Sequence, residues 1–469
     1  MDKSVGLGPI ILSAYGEASS RPSPVGRMMA AFAADFRDGI DINLGVGYVN
    51  EQTIPRDLIR EALTVVLANP QRYRVALNYG GPAGSPNLIH SLRQFLLSRR
   101  GTGIDERLLA KNRIIIGPCG ATSLLESVAH LLPPGIVVTS DPVYYIYCEL
   151  LERLGFEILP IPEDEQGLSA SHLREALRAL GDRLEGLRFF YVVTVNNPTC
   201  RILSTDRRRE LVQIAGEVSL KLGRRVPIFF DLAYEFLIHD PSLDVPQLPL
   251  VFDEFGIVYE IGSLSKVLAP ALRIGYMIGP DGLFLHSVVQ RTCDCGFSAP
   301  LVMQEVASYL LDHHIETQLV RVTEGYRQKA ILVQQWITEQ LGEFLADCSG
   351  GQAGFYFYLT FKDFETHEGS PFFRFLTRTT GQLEVDGPPQ SKYPRVIYLP
   401  GEYCVHSKGQ LRELGRRQLR LSYGFEELDR IAEGLRLMRQ AALAARQTEL
   451  ESLRTGSLQT PPVTVKPLA

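Results

Sequence analysis

Between about residue 113 and residue 279, short and nearly continuous apolar runs alternate with longer amphipathic stretches. That alternation restricts the fold more than any other feature of the chain. The runs, at residues 113–117, 136–140, 189–195, 227–231, 257–263 and 272–279, are rich in Ile, Val, Phe and Tyr. A strand that is apolar on both faces has to be covered on both faces, the condition of a mostly parallel sheet between helices. The stretches 122–132, 145–154, 171–179 and 205–222 have helical length and spacing. Thr205 with Asp206 reads as a helix start and Gly223 as a stop. The expectation is an α/β fold with a mixed, mostly parallel central sheet and helices on both faces.

After Pro300 the pattern changes. A helical region spans 301–341, residues 354–361 alternate like a strand, and 426–445 read as a final amphipathic helix. This suggests a second, smaller α+β domain. The expected organisation is an N-terminal arm with part of the small domain (1–50), a large domain (51–325), a C-terminal small domain (326–450) and a flexible tail (451–469).

The formal net charge of -5 gives no reason to expect nucleic acid or an anionic membrane as a partner. No apolar run approaches the roughly 18 residues that span a bilayer, and the N-terminus lacks the pattern of a signal peptide. The seven cysteines are scattered and odd in number, unlike a disulfide framework or a zinc site. They read as free thiols in a reducing cytoplasm, with no metal expected.

Most of the polar residues that carry chemistry fall just after an expected strand, where open α/β sheets bind ligands. Gly117-Pro118-Cys119-Gly120-Ala121-Thr122 leads from a strand into a helix whose free N–H groups suit a phosphate, with the Thr122 hydroxyl as a further donor. A plain turn capped by Thr122 would read the same way. Tyr144 could lay its face on an aromatic ring, a role for which Tyr145 and Tyr147 compete. Asn197, in Asn196-Asn197-Pro198-Thr199, marks a tight turn and a candidate cis bond, and its amide could donate to a phenolic oxygen. Asp231 ends a strand and could keep a pyridine nitrogen protonated, or cap a helix. Tyr234 lies close enough to reach the same phenolic oxygen. Lys266, in Ser263-Leu264-Ser265-Lys266, could form a Schiff base and then move a proton. Ser263 and Arg273 would bracket a phosphate, and Arg420 is left for a substrate carboxylate. Each residue alone has an ordinary structural explanation. The ordered set fits pyridoxal 5'-phosphate, contact by contact.

With these residues in view, the chain resembles the fold-type I pyridoxal phosphate enzymes, specifically the class I/II aminotransferases. The likeness runs from Ile42-Asn43-Leu44-Gly45-Val46-Gly47 to Arg420-Leu421-Ser422-Tyr423. It implies that Lys266 carries the cofactor, Asp231 pairs with its ring nitrogen and Asn197 meets its phenolic oxygen. Arg420 would grip the substrate α-carboxylate, with a backbone contact from Gly45. Asn78-Tyr79-Gly80-Gly81-Pro82-Ala83-Gly84 resembles a segment whose tyrosine reaches the neighbouring subunit's phosphate, which implies a homodimer. Within the family, the Gly-Pro-x-Gly run after Tyr79 looks most like valine–pyruvate aminotransferases. Three features depart from the family pattern. Cys200 stands where glycine usually follows Asn-Pro-Thr, seven rather than eight residues separate Lys266 from Arg273, and no second arginine for an acidic side chain can be located.

The resemblance implies transfer of an amino group from an L-amino acid to a 2-oxo acid. A lyase or cyclase acting on a specialised amino acid, as in capreomycidine-type cyclases, is the alternative, and Cys200 motivates it. A regulator with an aminotransferase-like domain is disfavoured, because the residues before Ile42 show no basic helix-turn-helix pattern.

Overall fold

The computed structural model describes residues 10–388 and 393–455. Its centre is an eight-stranded sheet. In spatial order the strands are Asn112–Ile116, Gly275–Pro280, Val258–Ser263, Ile228–Asp231, Leu187–Val193, Ile136–Asp141, Glu157–Asp164 and Gly167–Leu168. The pairings from Val258–Ser263 across to Glu157–Asp164 are all parallel. Gly275–Pro280 runs antiparallel to both of its neighbours, and Gly167–Leu168 closes the far edge antiparallel.

Burial explains why these segments are strands. Every residue of Ile136–Asp141, Ile228–Asp231 and Val258–Ser263 is buried. Alternate side chains of one strand enter different cores: Ile228 and Phe230 join one apolar cluster, Phe229 the other. Helices Gly120–Leu131, Tyr145–Arg153 and Leu283–Gly296 contribute to the second cluster, and Thr205–Lys221 to the first. The sheet is therefore covered on both faces, as the continuous apolar runs require.

Several elements differ from the sequence expectation for local reasons. The strand Glu157–Asp164 was not anticipated, because Pro160, Pro162 and three acidic residues interrupt its apolar character. Only one short strand lies beyond it, and prolines are tolerated towards a sheet edge. The strand expected to begin at Leu272 begins at Gly275, since Pro270–Leu272 form a helical turn and Arg273 takes φ 54°. Helix Thr205–Lys221 is capped by Ser204, whose Oγ accepts from the Arg207 N–H at 3.2 Å. The helical region after Pro300 breaks at His314 into Leu301–His313 and Ile315–Leu341. The boundary expected between 325 and 326 falls within the latter helix.

A second, four-stranded antiparallel sheet is built from Leu345–Gly350, Tyr356–Phe361, Gln418–Ser422 and Leu399–Pro400. Ile42–Asn43 pairs in parallel with Val396–Ile397, which ties the N-terminal segment to this smaller unit. The last helix, Leu428–Thr455, runs into the segment expected to be a tail, and residues 456–469 lie outside the described residues. No described helix is long and apolar enough to cross a membrane.

One buried ion pair holds the Thr205–Lys221 helix to the sheet. Arg208, fully buried, donates from both terminal nitrogens to Glu235 at 2.8 and 3.0 Å, and its Nε donates to the Leu203 carbonyl at 3.0 Å. Removing one partner of such a pair strands a charge in a dry core. Glu235→Ala should lower the unfolding free energy by about 3–5 kcal/mol in urea denaturation. Disrupting the exposed Asp57–Arg60 pair by Arg60→Ala should change it by less than about 1 kcal/mol.

Candidate active site

The carboxyl ends of the parallel strands open onto one cavity. Its walls include Ala121, Thr122, Tyr144, Asn197, Asp231, Tyr234, Ser263, Lys266 and Arg273. The topology explains the convergence. Asp231 and Ser263 are the last residues of adjacent parallel strands, Asn197 and Tyr144 follow the next two, and Thr122 opens the helix after Asn112–Ile116.

At one end the cavity is built for an anion. Helix Gly120–Leu131 has Cys119 at its cap position and no side-chain cap, so Thr122 lies in the first turn instead of capping it. Its free amide donors carry the positive end of the helix dipole. Gly120, at φ 69°, donates its N–H to the Arg273 carbonyl at 2.8 Å, and a Cβ there would lie 3.0 Å from the guanidinium. Gly275 allows the same approach from the sheet, because a Cβ on it would meet the Ala121 nitrogen at 2.2 Å. The Arg273 guanidinium donates to the Cys119 carbonyl at 3.1 Å and the Pro270 carbonyl at 3.2 Å. Ser263 Oγ accepts from the Ser265 N–H at 3.1 Å, and Ser265 also lines the cavity. The sequence contained Ser265 in plain view, but its spacing alone did not distinguish it from Ser263.

At the centre stands Asp231. Its carboxylate accepts from the Tyr191 hydroxyl at 2.9 Å and from the Ala233 N–H at 2.9 Å. Burial still pushes its pKa up, against those two donors. A cation beside it would stabilise the carboxylate. Tyr191 escaped notice because it sits inside an apolar strand. Of the three adjacent tyrosines, Tyr144 lines the cavity, while Tyr147 is buried edge-on against Tyr191 at 4.7 Å.

The Asn196–Thr199 turn is fixed from behind. Glu163 accepts from Asn196 Nδ2 at 2.7 Å and from Thr199 Oγ1 at 2.8 Å. Asn197–Pro198 is not cis; the cis peptide among the described residues is Asp141–Pro142. Cys200 takes φ 52°, the left-handed conformation that glycine usually supplies, and its N–H donates to the Asn196 carbonyl at 2.7 Å. Its thiol is buried, and burial pushes its pKa up to about 12, which favours the protonated thiol.

At the opposite end the cavity is lined by Lys266, and Arg420, which is not among the lining residues, acts on that lysine through its charge. Lys266 Nζ donates to the Gly47 carbonyl at 3.0 Å and sits 5.6 and 5.5 Å from the Tyr234 and Phe355 rings. Burial, reinforced by Arg420 and Arg273, lowers its pKa to about 8. Arg420 is buried, 4.3 Å from the centre of the Tyr356 ring. It donates to Asn197 Oδ1 at 2.7 Å and to the Gly45 carbonyl at 2.6 Å, while its Nε has no partner. Because the Asn197 oxygen is held by Arg420, its amide NH2 is the group left for the cavity.

Two expected contacts are placed differently. Gly45 presents its carbonyl to Arg420, and its N–H donates to Asn43 Oδ1 at 3.2 Å. Its backbone thus supports the arginine. Tyr79 is 76% exposed and packs against Phe297 at 5.1 Å, away from the cavity lining. No group of His, Cys, Asp or Glu among the described residues is placed to hold a metal.

The donor set fits pyridoxal phosphate. A helix N-terminus with Arg273 suits its phosphate, a buried carboxylate lacking an ion-pair partner suits its ring nitrogen, and a partly neutral lysine suits its aldehyde.

The family model for aminotransferase class I and II matches residues 40–370. The mitochondrial kynurenine/alpha-aminoadipate aminotransferase of Bos taurus is 26% identical over 308 residues, covering 61% of this chain and 69% of that protein. The uncharacterized HTH-type transcriptional regulator YisV of Bacillus subtilis is 23% identical over 407 residues, 86% of this chain and 73% of that one. The fold matches the multiple substrate aminotransferase of Thermococcus profundus with a TM-score of 0.77 at 20% identity, covering 94% of this chain and 98% of that one. It matches the kynurenine aminotransferase of Pyrococcus horikoshii, solved with PMP, with a TM-score of 0.76 at 21% identity, over 91% and 96% of the two chains.

The lowered lysine value has a direct consequence. The neutral amine is the nucleophile, so the rate at which cofactor-free protein takes up pyridoxal phosphate should rise with pH and level off above about 8. Stopped-flow absorbance would measure it, and a midpoint near the ordinary lysine value of 10.5 would contradict this environment for Lys266.

Proposed function

Because the chain belongs to the class I and II aminotransferases, a family of pyridoxal phosphate enzymes, we propose that it transfers the amino group of an L-amino acid with a neutral, apolar or aromatic side chain to a 2-oxo acid. The observation that carries this reading is the buried guanidinium of Arg420, whose Nε has no partner and whose charge acts on Lys266.

When bound, pyridoxal phosphate supplies an electron sink for negative charge at the substrate α-carbon. The residues of the chain do the rest. The N-terminus of Gly120–Leu131, Thr122, Ser263 and Arg273 would hold the phosphate, and Tyr144 would cover a ring face. Asn197 and Tyr234 would donate to the phenolic oxygen. Asp231 would keep the ring nitrogen protonated, since a buried carboxylate stabilises a cation beside it. Arg420 orients the substrate through its carboxylate, in a site dry enough that the charge pair is strong. Lys266 Nζ would accept the α-proton as a neutral amine and return it beyond the amino nitrogen, two atoms from the α-carbon.

The preference for a neutral side chain rests on charge. Among the groups acting on Lys266, the cations are Arg420 and Arg273, and the latter is turned to the anion end. Lys266 and Arg420 have aromatic neighbours: the Tyr234 and Phe355 rings lie 5.6 and 5.5 Å from Lys266 Nζ, and the Tyr356 ring 4.3 Å from the Arg420 guanidinium. The feature that motivated a lyase or cyclase carries less weight here, because Cys200 keeps the turn that glycine would give. The net charge of -5 supports an enzyme without a nucleic-acid partner. A homodimer is supported by the exposed rings of Tyr79 and Phe297, 5.1 Å apart, which a second copy would cover.

Loaded protein given one apolar or aromatic amino acid and no acceptor should release one 2-oxo acid per site and then stop. Continued turnover under those conditions would favour a lyase or cyclase. Aspartate and glutamate should react far more slowly. Arg420→Ala should lower kcat/KM for amino acids by about 10²–10³-fold, the loss expected for a buried charge pair. It should matter little for an amine lacking the carboxylate, and equal losses for both would count against Arg420 as the carboxylate group.

A further inference from the structure

We propose that Tyr356 is a positioning residue for the cofactor: its hydroxyl donates to the Tyr234 oxygen and thereby directs the Tyr234 O–H into the cavity. The inference rests on the reading that Tyr234 serves the cofactor's phenolic oxygen.

The two hydroxyls lie 2.8 Å apart, with both side chains buried. Tyr234 lines the cavity. If Tyr234 donated to Tyr356, its only proton would point away from the cofactor, so the direction of this hydrogen bond matters. Arg420 decides it. The guanidinium stands 4.3 Å from the centre of the Tyr356 ring, where a cation draws electron density from the ring and makes its O–H the stronger donor. The Tyr234 oxygen accepts, and its own proton is released towards the cavity. A donor that is itself accepting a hydrogen bond is polarised and donates more strongly.

A stacking role alone does not account for the hydroxyl, because phenylalanine would lie under Arg420 equally well. The chain also leaves room for that oxygen. A Cβ on Gly47 would fall 2.6 Å from it, and Gly47 is the residue whose carbonyl accepts from Lys266. Arg420, Tyr356, Tyr234 and Gly47 thus form one contiguous path from the carboxylate end of the cavity to its phenolic end.

The test is the pH titration of the visible absorption of pyridoxal phosphate-loaded protein, which requires no turnover. A donor to the phenolic oxygen stabilises its anion and weakens its hold on the proton shared with the lysine nitrogen. Loss of the donor therefore raises the midpoint. Tyr356→Phe should raise it by about 0.5–1 pH unit, the size of one net hydrogen bond. Tyr234→Phe should raise it at least as much, and the double variant should match Tyr234→Phe alone. In a protein with the native shape, 3-fluorotyrosine at position 356 is a more acidic donor and should lower the midpoint.

A native midpoint in Tyr356→Phe, with Tyr234→Phe shifted, would overturn the positioning role and leave Tyr234 in place. Native midpoints in both would overturn the reading of Tyr234 as well. Additive shifts in the double variant, or no shift with 3-fluorotyrosine, would show that Tyr356 does not act through Tyr234.

Discussion

The site depends on one buried guanidinium. Arg420 comes from the small sheet, Asn197 from the loop after a strand of the large sheet, and Gly45 from the N-terminal segment. Its two hydrogen bonds join residues 223 and 375 positions apart in the chain. A desolvated cation is costly unless it is paired and hydrogen-bonded. Here two neutral oxygens and an aromatic face meet part of that cost, and one nitrogen remains without a partner. A carboxylate arriving there would complete the arrangement. The same charge, with burial, lowers the pKa of Lys266 and fixes which end of the Asn197 amide is available. One residue outside the large sheet thus acts on both the lysine and the asparagine of the cavity wall.

The large sheet supplies the rest by ordering strand ends. Parallel neighbours release Asp231, Ser263 and the Asn197 turn on one side, so groups distant in sequence arrive at one cavity. One wall residue, Arg273, and one residue of the turn behind Asn197, Cys200, take the left-handed conformation without being glycine. Such conformations persist only where the surroundings over-determine them. At Cys200 the Glu163 contacts to Asn196 and Thr199 do so, and at Arg273 the Gly120 N–H and the carbonyls of Cys119 and Pro270 do.

Much of this was legible before any coordinates. The six apolar runs correspond to six strands of the sheet, because burial on both faces leaves a continuous signature in the sequence. Nine of the residues singled out line one cavity, since polar groups after apolar runs mark strand ends. The remainder was hidden for physical reasons. Glu157–Asp164 carries prolines and charges that its near-edge position tolerates. Tyr191 is a polar tip on an apolar body within a strand. Tyr356 meets Tyr234 across 122 residues and Gly47 meets Tyr356 through one close approach, and local spacing encodes neither. Gly45 is expected from the sequence to meet a substrate carboxylate through its backbone, yet its carbonyl accepts from Arg420 while its N–H donates to Asn43.

The most direct measurement of the central claim is to reduce the loaded protein with borohydride, digest it and locate the pyridoxyl group by mass spectrometry. The arrangement at the cavity predicts a single modified lysine, Lys266, with about one group per chain. A label on another lysine, or spread over many surface lysines, would contradict the assignment of this cavity as the cofactor site.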